Sequence, residues 1–170
     1  MPFRLPAKWS RRYALPRMKL SLLLVTAQAV VVLPARAQSH WGGGLNAGLA
    51  FPTDTLSLET TLRIFYRPHV NGVFVEFVGG ADWGLQHRVV YDLYDINVGY
   101  AAPLGAKTSV LFQVGGSIWV RNDATGRSGN NAGVSLRYLT SATRGWRVDF
   151  TWHRFPGFAV PSICASFEAY

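Results

Sequence analysis

Apolar and polar residues alternate with a period of two along nearly the whole chain after residue 37. The stretch from Gly145 to His153 shows its logic. There Trp146, Val148, Phe150 and Trp152 fall on one side of an extended strand, because successive side chains point to opposite faces. Arg147, Asp149, Thr151 and His153 fall on the other. Similar segments recur at a spacing of roughly a dozen residues, broken by Gly, Pro, Asn and Asp turn signals. They predict strands over about 43–51, 57–67, 73–83, 89–101, 108–121, 131–141, 145–153 and 158–170. The segment at 108–121 sets Val110, Phe112, Val114, Ile118 and Val120 against Ser109, Gln113, Ser117 and Arg121. The one at 89–101 is less regular, with Asp92 on its apolar side. No heptad or amphipathic helical stretch appears after residue 37.

Eight strands of this length predict an all-β fold. It is a single antiparallel up-and-down transmembrane β-barrel over residues 38–170, with a polar interior and apolar residues facing lipid. Both termini then lie on the periplasmic side. Short turns are expected near 68–72, 103–107 and 142–145. Outer loops are expected near 52–56, 84–88, 122–130 and 154–157, with Asn122 to Asn130 the longest and most polar. A soluble exported barrel would carry the same alternation with its faces reversed. Aromatic residues near the strand ends favour the membrane form. Phe51, Tyr66, Trp83, Tyr100, Trp146 and Trp152 are the candidate girdle at the two membrane interfaces.

The first 37 residues are of another kind. Met18-Lys19 opens a short charged segment, Leu20 to Leu33 is an apolar run, and Ala35-Arg36-Ala37 is an A-x-A cleavage pattern. This predicts a signal peptide over 1–37, with Met18 as an alternative start and Gln38 as the first mature residue. The leader also changes the meaning of the charge. The whole chain has a formal charge of +8, yet seven of its 17 basic residues and none of its nine acidic ones lie in residues 1–37. The remainder is close to neutral, so the basicity marks no nucleic-acid surface. Cys164 is the only cysteine, which excludes an intrachain disulfide. It reads as a small apolar filler.

The leader, the strand count and the terminal Tyr170 resemble the small eight-stranded outer-membrane β-barrel proteins over essentially all of residues 38–170. The resemblance implies an outer-membrane location in the Gram-negative envelope. It also implies outer-membrane lipid and lipopolysaccharide as surroundings, and passage through the barrel-assembly machinery. Such barrels commonly end on an aromatic in phase with the outward residues. Tyr170 is instead in phase with Ser166 and Glu168, which calls for a bulge or a different register.

Inside so narrow a barrel, side chains fill the lumen. Glu59, Arg63, Glu76, Asp95, Arg137, Arg147, Asp149 and Glu168 form the expected internal charge network, each needing a partner once buried. His153 is the weak catalytic candidate. Lipid A deacylases, also eight-stranded, carry a His-x-Ser-Asn motif on a late strand, and Trp152 to Gly157 occupies a similar place here. Phe155 stands where the serine nucleophile would be, so the triad is incomplete. Asp82, His87 and Asp92 match no metal-ligand spacing. Gly42-Gly43-Gly44 and Gly115-Gly116 read as relief of crowding between strands. No cofactor is implied. The expected function is a structural or surface-interacting barrel with a plugged polar lumen. A deacylase-like enzyme using His153 is one alternative. A carrier of small apolar ligands, suggested by lumen-facing Phe65 and Phe74, is another.

Overall fold

The computed structural model describes residues 40–52, 56–85, 90–121 and 126–170. The expected leader and its cleavage site lie outside them. Eight antiparallel strands follow in order: β1 (Trp41–Ala50), β2 (Ser57–Tyr66), β3 (Gly72–Gly84), β4 (Val90–Pro103), β5 (Thr108–Arg121), β6 (Gly126–Ser141), β7 (Arg144–Phe155) and β8 (Phe158–Ala169). Each pairs with the next, and β8 returns to β1 to close a barrel. The closing ladder runs from Gly43 opposite Ala169 to Ala50 opposite Ser162. Closure leaves no row of unpaired N–H and C=O groups, the condition a sheet must meet in hydrocarbon. The end at which β1 begins and β8 finishes is called the lower end below, and the opposite end the upper.

Exposure decides which face of the alternation is outside. Ile96 is 65% exposed, and Val75, Val114, Val148 and Ile163 share its outward orientation, whereas Arg147 is 0% exposed. A soluble barrel would show the reverse. Burying charge inside and displaying aliphatic surface is stable only where the surroundings are apolar, so this exterior is lipid-facing.

The expected and observed strands differ mainly at the upper end. β6 begins at Gly126, inside the stretch expected to be a long loop, and Val120 pairs with Gly126. Polar Arg127 and Ser128 join the ladder because β5 supplies backbone partners, and Asn130 because β5 and β7 both do, whatever the side chains are. The expected loop at 154–157 shrinks to the Pro156-Gly157 turn, where Gly157 takes φ +88°, a conformation that glycine adopts without strain. Tyr170 needs no bulge. The ladders of β8 with β1 and β7 run without a register shift, and Tyr170 turns inward. Among the described residues, the one register shift lies between Leu139 and Ser141, where β6 pairs with β7. Of the glycine clusters, Gly42 and Gly115 do admit close approach. A Cβ on Gly42 would strike the Phe65 ring, and one on Gly115 would strike Asn97.

Candidate functional site

The strands place alternate side chains in the lumen, and these form two groups rather than one network. The lower group centres on two arginines. Arg63 on β2 reaches Asp149 (Nη2–Oδ2, 2.9 Å), Glu168 (Nη1–Oε1, 3.2 Å) and Glu76 (Nε–Oε2, 3.3 Å). Arg147 on β7 reaches the same three carboxylates, at 2.7 Å to Asp149, 2.9 Å to Glu76 and 3.4 Å to Glu168. Each carboxylate therefore touches both guanidinium groups. Neutral donors and acceptors occupy further positions. Ser135 donates to Asp149 at 2.6 Å, Asn97 donates to Glu76 at 3.2 Å, and Arg147 donates to Gln113 at 2.6 Å. Buried charge is stable only when paired and hydrogen-bonded in this way.

Below this cluster, Tyr170 donates to Glu168 at 2.6 Å and accepts from Arg67 at 3.0 Å. Arg137 donates to the Val70 carbonyl at 2.6 Å and to Ser109 at 3.0 Å. The Arg67 guanidinium lies 4.7 Å from the centroid of Phe65 and 5.2 Å from that of Phe74, both buried. These two phenylalanines therefore pack on a cation.

The upper group has the opposite character. Glu59, Asp82 and Asp95 are buried with His153, whose Nε2 lies 3.0 Å from Asp95 and whose Nδ1 lies 3.2 Å from the Val160 carbonyl. Two facing oxygens are satisfied in full by a ring carrying a proton on each nitrogen. Glu59 Oε2, Asp82 Oδ1 and Asp95 Oδ1 have no hydrogen-bond partner among the described residues. An aromatic layer covers this group. Tyr91 and Trp119 stack with centroids 3.9 Å apart, and Trp119 lies 5.8 Å from Phe155 and 5.1 Å from Phe158. The Trp119 indole donates to Asp82 at 3.3 Å, which ties the layer to the acids beneath it.

All eight expected network residues are buried in the lumen. Arg63, Glu76, Arg147, Asp149 and Glu168 are brought together. Asp95 pairs with His153, Arg137 lies at the lower mouth, and Glu59 stands with the upper acids. Arg67, Asp82 and Gln113, on the polar faces of their strands but outside the expected network, belong to the same interior, as does Trp119, which sequence reasoning did not place there. Trp119 could have been found, since it is in phase with Gln113 and Ser117. The six girdle candidates lie near strand ends, with Phe51, Tyr100, Trp146 and Trp152 exposed. Tyr66 and Trp83 are half-buried, Tyr66 against Trp41 at 5.0 Å and Trp83 donating to Thr60 at 3.0 Å.

The catalytic candidate does not assemble. Both nitrogens of His153 face Asp95 and the Val160 carbonyl rather than a serine hydroxyl, and Phe155 is buried beside the ring. Asp82 points inward and Asp92 outward, so the two do not converge on a cation; His87 lies outside the described residues. Among the described residues, no group of three or more His, Cys, Asp and Glu side chains is arranged to hold a metal ion.

No protein-family model matches the chain, and no curated protein matches it. Solved structures do. Ail, the attachment invasion locus protein of Yersinia pestis, superposes with a TM-score of 0.54 at 9% identity, covering 76% of this chain and 95% of that one. Neisserial surface protein A gives 0.56 at 7% identity, over 76% of this chain and 94% of the other. The N-terminal β-barrel domain of Pseudomonas aeruginosa OprF gives 0.56 at 12% identity, over 76% and 98%. These are small eight-stranded outer-membrane barrels, and the chain has their architecture. At such identities the likeness is one of fold.

Proposed function

We propose that the chain acts in an outer membrane as a non-conducting barrel with a structural or surface-interacting role. The observation that carries this reading is the filled interior. The Arg63–Glu76–Arg147–Asp149–Glu168 cluster spans the lower lumen, and the layer of Tyr91, Trp119, Phe155 and Phe158 covers the upper lumen. Any ion entering from below meets salt-bridged side chains that would have to separate, at a cost of several kcal/mol per uncompensated charge. The upper end faces outward in this reading, and the lower end faces the periplasm. The apolar exterior meets outer-membrane lipid and lipopolysaccharide, and barrel-assembly machinery inserts the chain.

Two measurements on purified protein test the proposal. In detergent, the folded barrel should migrate differently on a gel before and after boiling. In planar bilayers it should leave the baseline conductance unchanged. Stable single-channel steps would overturn the closed-lumen reading, and solubility without detergent together with no heat-dependent shift would overturn the barrel itself.

A further inference from the structure

We propose that Glu59 and Asp82 share one proton inside the upper lumen, and that this proton fastens the aromatic cover above them in a pH-sensitive way. The inference goes beyond the closed barrel proposed above and rests on its lipid-embedded, filled interior. Glu59 on β2 and Asp82 on β3 are direct partners in the ladder. Both point into the lumen, where they are 5% and 1% exposed. Side chains directly opposite on one face of a sheet stand about 4.5–5.5 Å apart at Cβ, and like charges there repel each other. Two carboxylates held so close out of water do not both ionise at low cost. In the lower group arginines answer that repulsion. Here the imidazole of His153 is bonded to Asp95 and the Val160 carbonyl, and not to Glu59 or Asp82.

The surroundings are also short of hydrogen-bond donors. Glu59 Oε2 and Asp82 Oδ1 have no partner among the described residues. Neither have Asn46 Oδ1, on the strand beside Glu59, and Asn131 Oδ1, opposite His153 in the ladder, although both side chains are more than nine-tenths buried. All four atoms accept hydrogen bonds. A protonated carboxyl adds a donor. One hydrogen between Glu59 and Asp82 thus gives two of the orphaned oxygens a partner and removes one of two adjacent charges. The other Asp82 oxygen accepts from the Trp119 indole at 3.3 Å, a bond that favours one remaining charge. Among the described residues, the titratable groups facing the pair are Asp95 and Tyr91 on β4, His153 on β7 and Cys164 on β8. On β1 the residue opposite Glu59 is Gly48, which has no side chain. Arg63 is engaged by the lower carboxylates, and Arg121 and Arg127 lie at the mouth, level with Trp119 or beyond it. When the proton leaves, two full charges stand side by side beneath the stack of Tyr91 and Trp119. The folded barrel holds this proton, whereas the unfolded chain gives it up as free carboxyls do. Its stabilisation is therefore complete in acid, below the range where free carboxyls titrate, and declines as the pH rises.

The test uses the full mature chain in micelles of a detergent that carries no carboxyl group. Infrared spectra at neutral pH, in water and in heavy water, should show the stretch of a protonated carboxyl in the parent protein. Glu59→Gln and Asp82→Asn should each lose that band. Urea unfolding then compares the parent with Glu59→Gln over roughly pH 5 to pH 8. The folding constant of the parent should fall about tenfold per pH unit relative to that of the variant, the effect of one extra proton in the folded state. Titration of His153 contributes to both. Absence of the band in the parent, its persistence in both variants, or parallel pH profiles would overturn the proposal. So would a parent stability that follows the exchange of sodium for choline and not the pH, since the pair would then hold a metal cation. If Asp82→Asn does not fold, the parent band and Glu59→Gln decide. Every sample is also checked for its heat-dependent gel shift. Loss of the shift in the parent refutes the barrel reading, whereas a folded barrel without the band refutes the shared proton alone.

Discussion

The lower and upper halves of the lumen use the same kinds of residue to opposite effect. In the lower half, two arginines and three carboxylates form a closed set in which every carboxylate meets both cations. In the upper half, three carboxylates stand with a single imidazole that bonds Asp95 alone, and Glu59, Asp82 and Asp95 each keep an oxygen without a hydrogen-bond partner among the described residues. The lower set is held by its arginines, with Arg67 as a third cation acting on Glu168, and the upper by an aromatic cover and the indole bond of Trp119. Burying ionisable groups is therefore no single design in this molecule. What matters is whether the charges balance locally, because a buried ion gains from a partner within a few ångströms and little from one at the other end of the barrel.

Substitutions can break this contrast. The largest effect is expected for Arg147→Ala, which strips one cation from Glu76, Asp149 and Glu168 and should cost about 3–5 kcal/mol in urea unfolding of the folded barrel. Retention of wild-type stability would mean that the lower set is not held by charge. Next, Val148→Arg moves a charge to the adjacent outward position. It should cost roughly 2–4 kcal/mol, as a charge placed on the lipid face does, and unchanged stability would mean that residue 148 does not meet lipid. A smaller change of the other sign is expected at the upper group. Glu59→Gln relieves an excess of carboxylates and should leave stability unchanged or raise it by up to about 1 kcal/mol, measured as the temperature of the gel shift. A loss comparable to that of Arg147→Ala would erase the distinction between the halves. Smallest is Cys164→Ser. This residue is buried beside Glu59, and a hydroxyl there offers the carboxylate a better donor than a thiol. A stabilisation below about 1 kcal/mol is expected.

The architecture was legible because it is written in the period of two. Every expected strand between residues 43 and 170 has its counterpart, and the same parity put Arg63, Glu76, Arg147, Asp149 and Glu168 on the inward face. Parity says which face a side chain takes but not which neighbour it meets. That depends on the stagger between strands, and so the division into two groups could not be read from it. The upper end was misjudged for a different reason. Composition suggested a loop where Arg127 to Asn130 are polar, yet a strand in a closed sheet is held by its backbone, and polarity marks only where the lipid stops. Ending the seventh strand at His153 also hid Phe155, and with it the aromatic cover of the lumen.

The seam between β1 and β8 governs how this barrel can be assembled. Seven of its ladders join segments adjacent in the chain, which can zip together as short loops. The eighth brings Gly43 to Ala169, from opposite ends of the described chain. Joining such distant segments carries the largest loop-closure entropy in the fold and places the rate-limiting search at the last step. Until then β1 and β8 each present an open edge, able to accept a strand from a neighbouring chain as readily as from its own. The order of synthesis thus makes the final strand the commitment point. A chain delivered to the bilayer without it would carry six correct hairpin ladders and two adhesive borders.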